Sequence, residues 1–155
     1  MPTLFENYNT GDTEANAIGS GTYGTDTWMA QTFTPQSSHS ITSVKLKLYR
    51  VGSPGTLTVS IRATDVNGKP TGSDLTSGTT NADTLTTSAA GEWREITLTS
   101  YLLSSGTMYA ICCRVSVADS NNMGAWRDDD TGSYTGGRYR SSNDAGVTWS
   151  DAYAD

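Results

Sequence analysis

Cysteine is nearly missing from this sequence: there are two, adjacent, at positions 112 and 113. In an extended strand neighbouring side chains point to opposite faces, so Cys112 and Cys113 are poorly placed to bond each other. With no third thiol, no intrachain disulfide ties distant parts of the fold together, which fits assembly in a reducing compartment. The expectation is one cysteine in a core and its neighbour on the opposite sheet face. A reactive vicinal pair would need an electropositive setting that the sequence does not indicate. Histidine is scarcer still. His39 is the only one and lies in the polar stretch Gln36-Ser37-Ser38-His39-Ser40, where it reads as a solvated loop residue. A Ser-His-Asp triad would have to use it, and there is no Gly-x-Ser-x-Gly elbow, no phosphate-binding glycine loop and no Cys/His zinc spacing. The expectation is therefore no enzyme and no catalytic residue.

Long apolar runs are also lacking. The longest, Met108 to Cys113, falls far short of the roughly 20 residues of a spanning helix, so no membrane insertion is expected. The opening residues Met1 to Asn7 have neither a basic stretch nor an apolar one, and so do not read as a secretory leader. The ten Lys and Arg residues are scattered and the formal net charge is −6, which argues against nucleic acid, whose phosphates require clustered cations.

What the sequence does have is small hydroxyls: 25 Thr and 19 Ser among 155 residues. Threonine is stiff at χ1, serine competes for backbone hydrogen bonds, and the good surface helix formers are few, so helices have little support. The acid is mostly aspartate, 12 Asp against 4 Glu, a composition suited to turns. The length fits one domain.

Period-two alternation is the main pattern. Val44, Leu46 and Leu48 alternate with Lys45, Lys47 and Tyr49; after Gly52-Ser53-Pro54-Gly55, Leu57, Val59, Ile61 and Ala63 alternate with Thr56, Thr58, Ser60 and Arg62. These two segments read as a hairpin, and Asn67-Gly68 before Pro70 reads as the next turn. Residues 71–91 read as short edge strands or a surface connection. Ile96 and Leu98 face one way with Trp93, Glu95 and Thr97 the other, and 101–106 reads as a corner. Tyr109, Ile111, Cys113, Val115 and Val117 form the strongest apolar row. Weaker strands are read at 28–34, 123–127 and 136–141. The result is an all-β, two-sheet antiparallel β-sandwich of about eight strands, in one domain spanning 1–155, with 1–27 irregular and 28–150 as its body.

The succession Gln31-Thr32-Phe33-Thr34-Pro35, Ile41 to Leu48, Gly52 to Ile61, Asn67-Gly68-Lys69-Pro70-Thr71-Gly72-Ser73-Asp74-Leu75, Trp93 before Ile96 and Leu98, and Leu103 to Ala110 resembles the jelly-roll modules labelled choice-of-anchor or carbohydrate-binding-like domains. Such modules occur in bacterial surface proteins and in phage virion and tail proteins. The resemblance covers about 28–150 and rests on turns and core positions, so it implies a jelly roll more strongly than a function. In such modules the segment resembling Ser141 to Trp149 is followed by a final apolar strand, which this sequence lacks. The resemblance leaves two alternatives: a longer chain, or a sandwich completed differently, for example by a strand from a neighbouring subunit.

Two clusters are candidates for binding. Asp128, Asp129 and Asp130 beside Thr131-Gly132 are hard oxygen donors near a turn and could hold a structural calcium, although the spacing is not that of an EF-hand and consecutive carboxylates more often solvate a turn. No other cofactor is indicated. Trp126, Tyr134, Tyr139 and Trp149, with Arg138 among them, form an aromatic group beside polar residues, as a sugar platform requires. Aromatics in sandwiches more often pack. Together these readings lead to a non-enzymatic structural or interaction module of a phage or virus-like virion, in a capsid-surface decoration, tail or fibre. Its expected partners are copies of itself, other virion proteins and host surface glycans, with assembly in the host cytoplasm. The alternative is a carbohydrate-binding module of a secreted or surface-anchored glycan-active protein, extracellular or at the cell surface.

Overall fold

The computed structural model describes residues 3–19, 23–129 and 134–150. Its strands are β1 (Glu14–Ile18), β2 (Trp28–Phe33), β3 (His39–Val51), β4 (Thr56–Thr64), β5 (Pro70–Asn81), β6 (Glu92–Leu103), β7 (Tyr109–Val115), β8 (Met123–Asp128) and β9 (Tyr139–Ser142). One 3-10 turn, Ala82–Thr84, follows β5, and there is no α-helix among the described residues. The strands form two antiparallel sheets, β1-β8-β3-β6 and β5-β4-β7-β2-β9.

The pairing is nested: β1 with β8, β2 with β7, β3 with β6, and β4 with β5. Alternate pairs fall in opposite sheets. This is one long antiparallel ribbon rolled up on itself, a jelly roll, and β9 extends it at the free edge of β2. The expected all-β sandwich is what the chain forms.

The alternation decides which residues turn inward. Val44, Leu46 and Leu48 from β3 and Ile96 and Leu98 from β6 meet Leu57, Val59 and Ile61 from β4 and Tyr109, Cys113 and Val115 from β7 in one core. It does not decide which sheet a strand joins. Gly52 to Gly55, expected to close a hairpin, instead carries the chain from one sheet to the other, because β3 and β4 face each other across the core. The Asn67-Gly68 turn does close a hairpin: Gly68 N–H donates to Asp65 O at 3.0 Å, and Asp65 N–H to Lys69 O at 2.9 Å. Residues 70–81 form one long edge strand, and β6 continues through the expected corner to Leu103.

Two further expectations change. Within the segment taken as irregular, residues 14–18 form β1 and pair with β8 from Glu14 opposite Asp128 to Ile18 opposite Gly124. All eight strands of the roll, β1 to β8, therefore come from this chain. Beyond Trp149 the chain reaches Ser150, whose N–H donates to Ser141 O at 2.8 Å along the outer edge of β9. Residues 151–155 lie outside the described ones. At the other side the two sheets meet edge to edge. A Cβ on Gly78 of β5 would stand 1.9 Å from the Thr97 carbonyl oxygen of β6, so only glycine permits that approach.

Candidate functional site

The five aromatic-group residues named from the sequence do not share a face. Trp126 lies opposite Leu48 and packs against the sandwich core. Tyr139 also packs there, with its hydroxyl 2.8 Å from Met29 Sδ. Tyr134 stacks at a tilt on Tyr8, ring centroids 5.5 Å apart. Arg138 is exposed, and its backbone is bonded to Thr32. Trp149 lies on the opposite side of the five-stranded sheet, buried on Ala30, Ala110 and Cys112. An open platform of these residues is therefore not formed; one of them, Trp149, lines a cavity.

The aspartates separate as well. Asp128 stands opposite Glu14 across the β1–β8 pair and accepts a hydrogen bond from Asn16 Nδ2 at 2.6 Å, while its Oδ1 is buried without a hydrogen-bond partner. Burial, and then the Glu14 charge, hold its pKa above the usual carboxylate value. Asp129 is buried and accepts from the Tyr8 hydroxyl. Asp130 lies outside the described residues. Among the described residues, no group of three or more His, Cys, Asp or Glu side chains is placed to hold a metal ion. His39 is not a solvated loop residue: it opens β3, its side chain is only 9% exposed, and it stacks on Phe5 at 3.6 Å with Glu6 at 3.6 Å from Nε2. The segment before β1 covers it, and nothing near His39 in sequence reveals that.

The cysteines fall as the alternation requires. Cys113 is in the sandwich core and Cys112 is under Trp149 on the other face. Burial pushes the Cys112 thiol up to about 12 and the Cys113 thiol well above its ordinary value, which disfavours the thiolate at both.

After β9 the chain folds back over the outer face of its own sheet. Asp144 organises this loop. Its carboxylate accepts from the Ser142 hydroxyl at 2.8 Å, the Thr148 amide at 2.8 Å and the Thr148 hydroxyl at 2.5 Å. Those bonds, led by the two from Thr148, lower its pKa to about 2. Ala145 N–H reaches Asp26 O at 2.9 Å, and Gly146 lies against Trp28, where a Cβ would come within 2.7 Å of the indole. Arg140, buried, donates to the carbonyls of Gly68, Asn67 and Ser150, which fastens the β4–β5 turn and the loop to β9. Between the loop and β9 lies a cavity of about 280 Å³, with Trp149 as its apolar wall and Ser141, Ser142, Asn143, Asp144, Thr148 and Ser150 around it. It is close in size to the smallest ligand pockets and combines one aromatic surface with convergent small polar groups.

Beside this loop is a group that the sequence pattern did not single out. Arg62 Nε and Arg114 Nη2 donate to the two oxygens of Asp74, both at 2.8 Å, and Arg114 Nη1 also donates to Ser60 Oγ at 3.3 Å. The two guanidinium carbons are 5.0 and 4.8 Å from the centroid of Trp28. Burial alone would raise the Asp74 pKa, but the hydrogen bonds from Arg62 and Arg114 outweigh it and leave it lowered. Alternation does put Arg62 out of phase with the core row of β4. The register that brings it near Trp28, with Ser60 opposite Cys112 and Ala30 opposite Cys112 from the other side, has no local signature. No protein-family model matches this sequence, and no curated protein or solved structure matches it.

Proposed function

We propose that the chain is a non-enzymatic jelly-roll module of a phage or virus-like particle, in a capsid-surface, tail or fibre position, that works in several copies and contacts host glycans. The observation that carries the glycan part is the cavity beside β9. One wall is the Trp149 indole, packed on Ala30, Ala110 and Cys112, and the rest is hydroxyl, amide and carboxylate on a loop braced by Asp144. Sugar rings present apolar C–H faces and hydroxyl edges, and this pairing of surfaces complements both. The particle part is supported by analogy of architecture, since nested jelly rolls serve as capsid and lectin domains. On this reading the module is assembled in the host cytoplasm with other particle proteins and needs no cofactor; a structural calcium would have to use Asp130 or donors beyond Asp128 and Asp129.

The same cavity also suits a carbohydrate-binding module of a secreted or surface-anchored glycan-active protein. Copy number separates the two. Light scattering on the purified chain should give a defined oligomer, and a glycan array should show binding that Trp149→Ala or Thr148→Ala removes. A monomer at all concentrations that still binds glycans would favour the second reading, and an array with no binding would remove the glycan contact from both.

A further inference from the structure

Arg62 and Arg114 lie close together on the outer face of a sheet, in a protein of net charge −6, with one carboxylate between them. Each Asp74 oxygen is already engaged by one of the two. The Arg62 side chain is only 12% exposed, yet among the described residues its two terminal nitrogens, Nη1 and Nη2, have no hydrogen-bond partner. The outer edge of this guanidinium is therefore unmatched by any group of the described residues. Trp28 and the Asp74 bond together fix the plane of the guanidinium, so the donor edge is preorganised rather than free to swing.

The unmatched edge adjoins the cavity loop. A Cβ on Gly146, midway between Asp144 and Thr148, would come 3.4 Å from Arg62 Nη1. The loop therefore passes directly beside this nitrogen. We infer that Arg62, with Arg114 beside it, receives the carboxylate of an acidic saccharide, a uronate or a related sugar acid, whose ring occupies the cavity walled by Trp149. This rests on the proposed glycan contact and names its ligand class. A carboxylate matches the two parallel N–H groups of a guanidinium edge, and a neutral sugar does not.

The test is a nuclear magnetic resonance titration of the intact chain at low ionic strength with glucuronate, glucose, acetate and inorganic phosphate. Two sets of signals are followed: the Arg62 Nε–H with the Trp28 indole N–H, and the amides of 141–150. Glucuronate should shift both sets and bind at least about tenfold more tightly than glucose, which should shift the loop set alone. Arg62→Gln should reduce glucuronate to the level of glucose, Arg62→Lys should restore part of the difference, and high salt should weaken glucuronate but not glucose. Glucuronate binding no tighter than glucose, or tighter but indifferent to Arg62→Gln, overturns the inference and leaves the glycan cavity standing. Acetate and phosphate shifting the Arg62 set as strongly as glucuronate, with the loop set unmoved by glucuronate, overturns it in favour of a simple oxyanion site, and a loop set that glucose also leaves unmoved removes the glycan reading. If Arg62→Gln does not fold, the titrations of the unaltered chain decide alone.

Discussion

On the four-stranded sheet, Val44, Leu46, Ile96 and Leu98 are buried while Lys45, Trp93 and Glu95 between them stand in solvent. On the five-stranded sheet, β7 is buried on both sides, with Cys113 in the main core and Cys112, Ala110 and Ala30 under Trp149 in a second, smaller one. A sheet with one wet face carries strict alternation, whereas a strand covered twice reads as an unbroken apolar run. The run Met108 to Cys113 was therefore a sign that something crosses over β7. What crosses is the loop that also forms the cavity, so in this fold the second core and the candidate site have the same origin.

The sharpest way to break this contrast is to remove the cover. Trp149→Ala should cost about 3 kcal/mol in urea unfolding, in the range for deleting a buried aromatic. The same variant should make one thiol react with Ellman's reagent in the native protein, where the unaltered chain shows none. That thiol is Cys112, and labelling of Cys113 as well would mean that the two cores are not separate. Next comes Arg140→Met, which leaves three carbonyls to find other partners and should cost about 2 kcal/mol, with raised amide exchange at both 65–69 and 141–150.

The pH dependence should differ in sign between the faces. Asp144 has a lowered pKa, so its bracing of the loop is complete above the ordinary carboxylate range and is lost as pH falls towards about 2. Asp128 has a raised pKa, so its charged form opposes the pairing of β1 with β8, and that pairing should strengthen as pH falls through its folded value. Amide exchange in 144–148 and in 14–18 should therefore move in opposite directions on mild acidification, and Asp128→Asn should abolish the change in 14–18. The smallest effect is expected on the open face: Trp93→Ala, at a residue 45% exposed, should change stability by less than about 0.5 kcal/mol. A loss comparable to that of Trp149→Ala would show that the four-stranded sheet is covered in solution too.

Much of the fold was legible because its signals are local. The inward rows of β3, β4, β6 and β7, the turn at Asn67-Gly68 and the opposite placement of the two cysteines follow from period two and turn chemistry alone. The assignment of β4 to the second sheet was not legible, since Gly52 to Gly55 serves a crossover as well as a hairpin. Nor was β1, whose sequence Glu-Ala-Asn-Ala-Ile has one fully buried side chain and depends on β8 for its register. The site was legible only in part. Trp149 was named, as a residue that either faces a sugar or packs, and nothing near it in sequence shows the sheet beneath it. Trp28, Arg62, Asp74 and Arg114 come from four different strands, and their proximity exists only after the sheet has formed.

The nested pairing also predicts an order in time. The innermost ribbon, β4 with β5, needs only the turn between Thr64 and Pro70 to close, whereas the outermost brings together Asn16 and Asp128, 112 residues apart. Each outer pair closes a larger loop than the pair inside it and gains its contacts only if that inner pair already holds the ends near each other. The jelly roll should therefore zip from β4–β5 outwards, slowly as such topologies do, and the cavity loop, laid over a sheet whose β2–β7 pair is the third to form, can settle only near the end. A ribosome-bound chain shortened before β8 would hold the three inner pairs, β4–β5, β3–β6 and β2–β7, and no binding site.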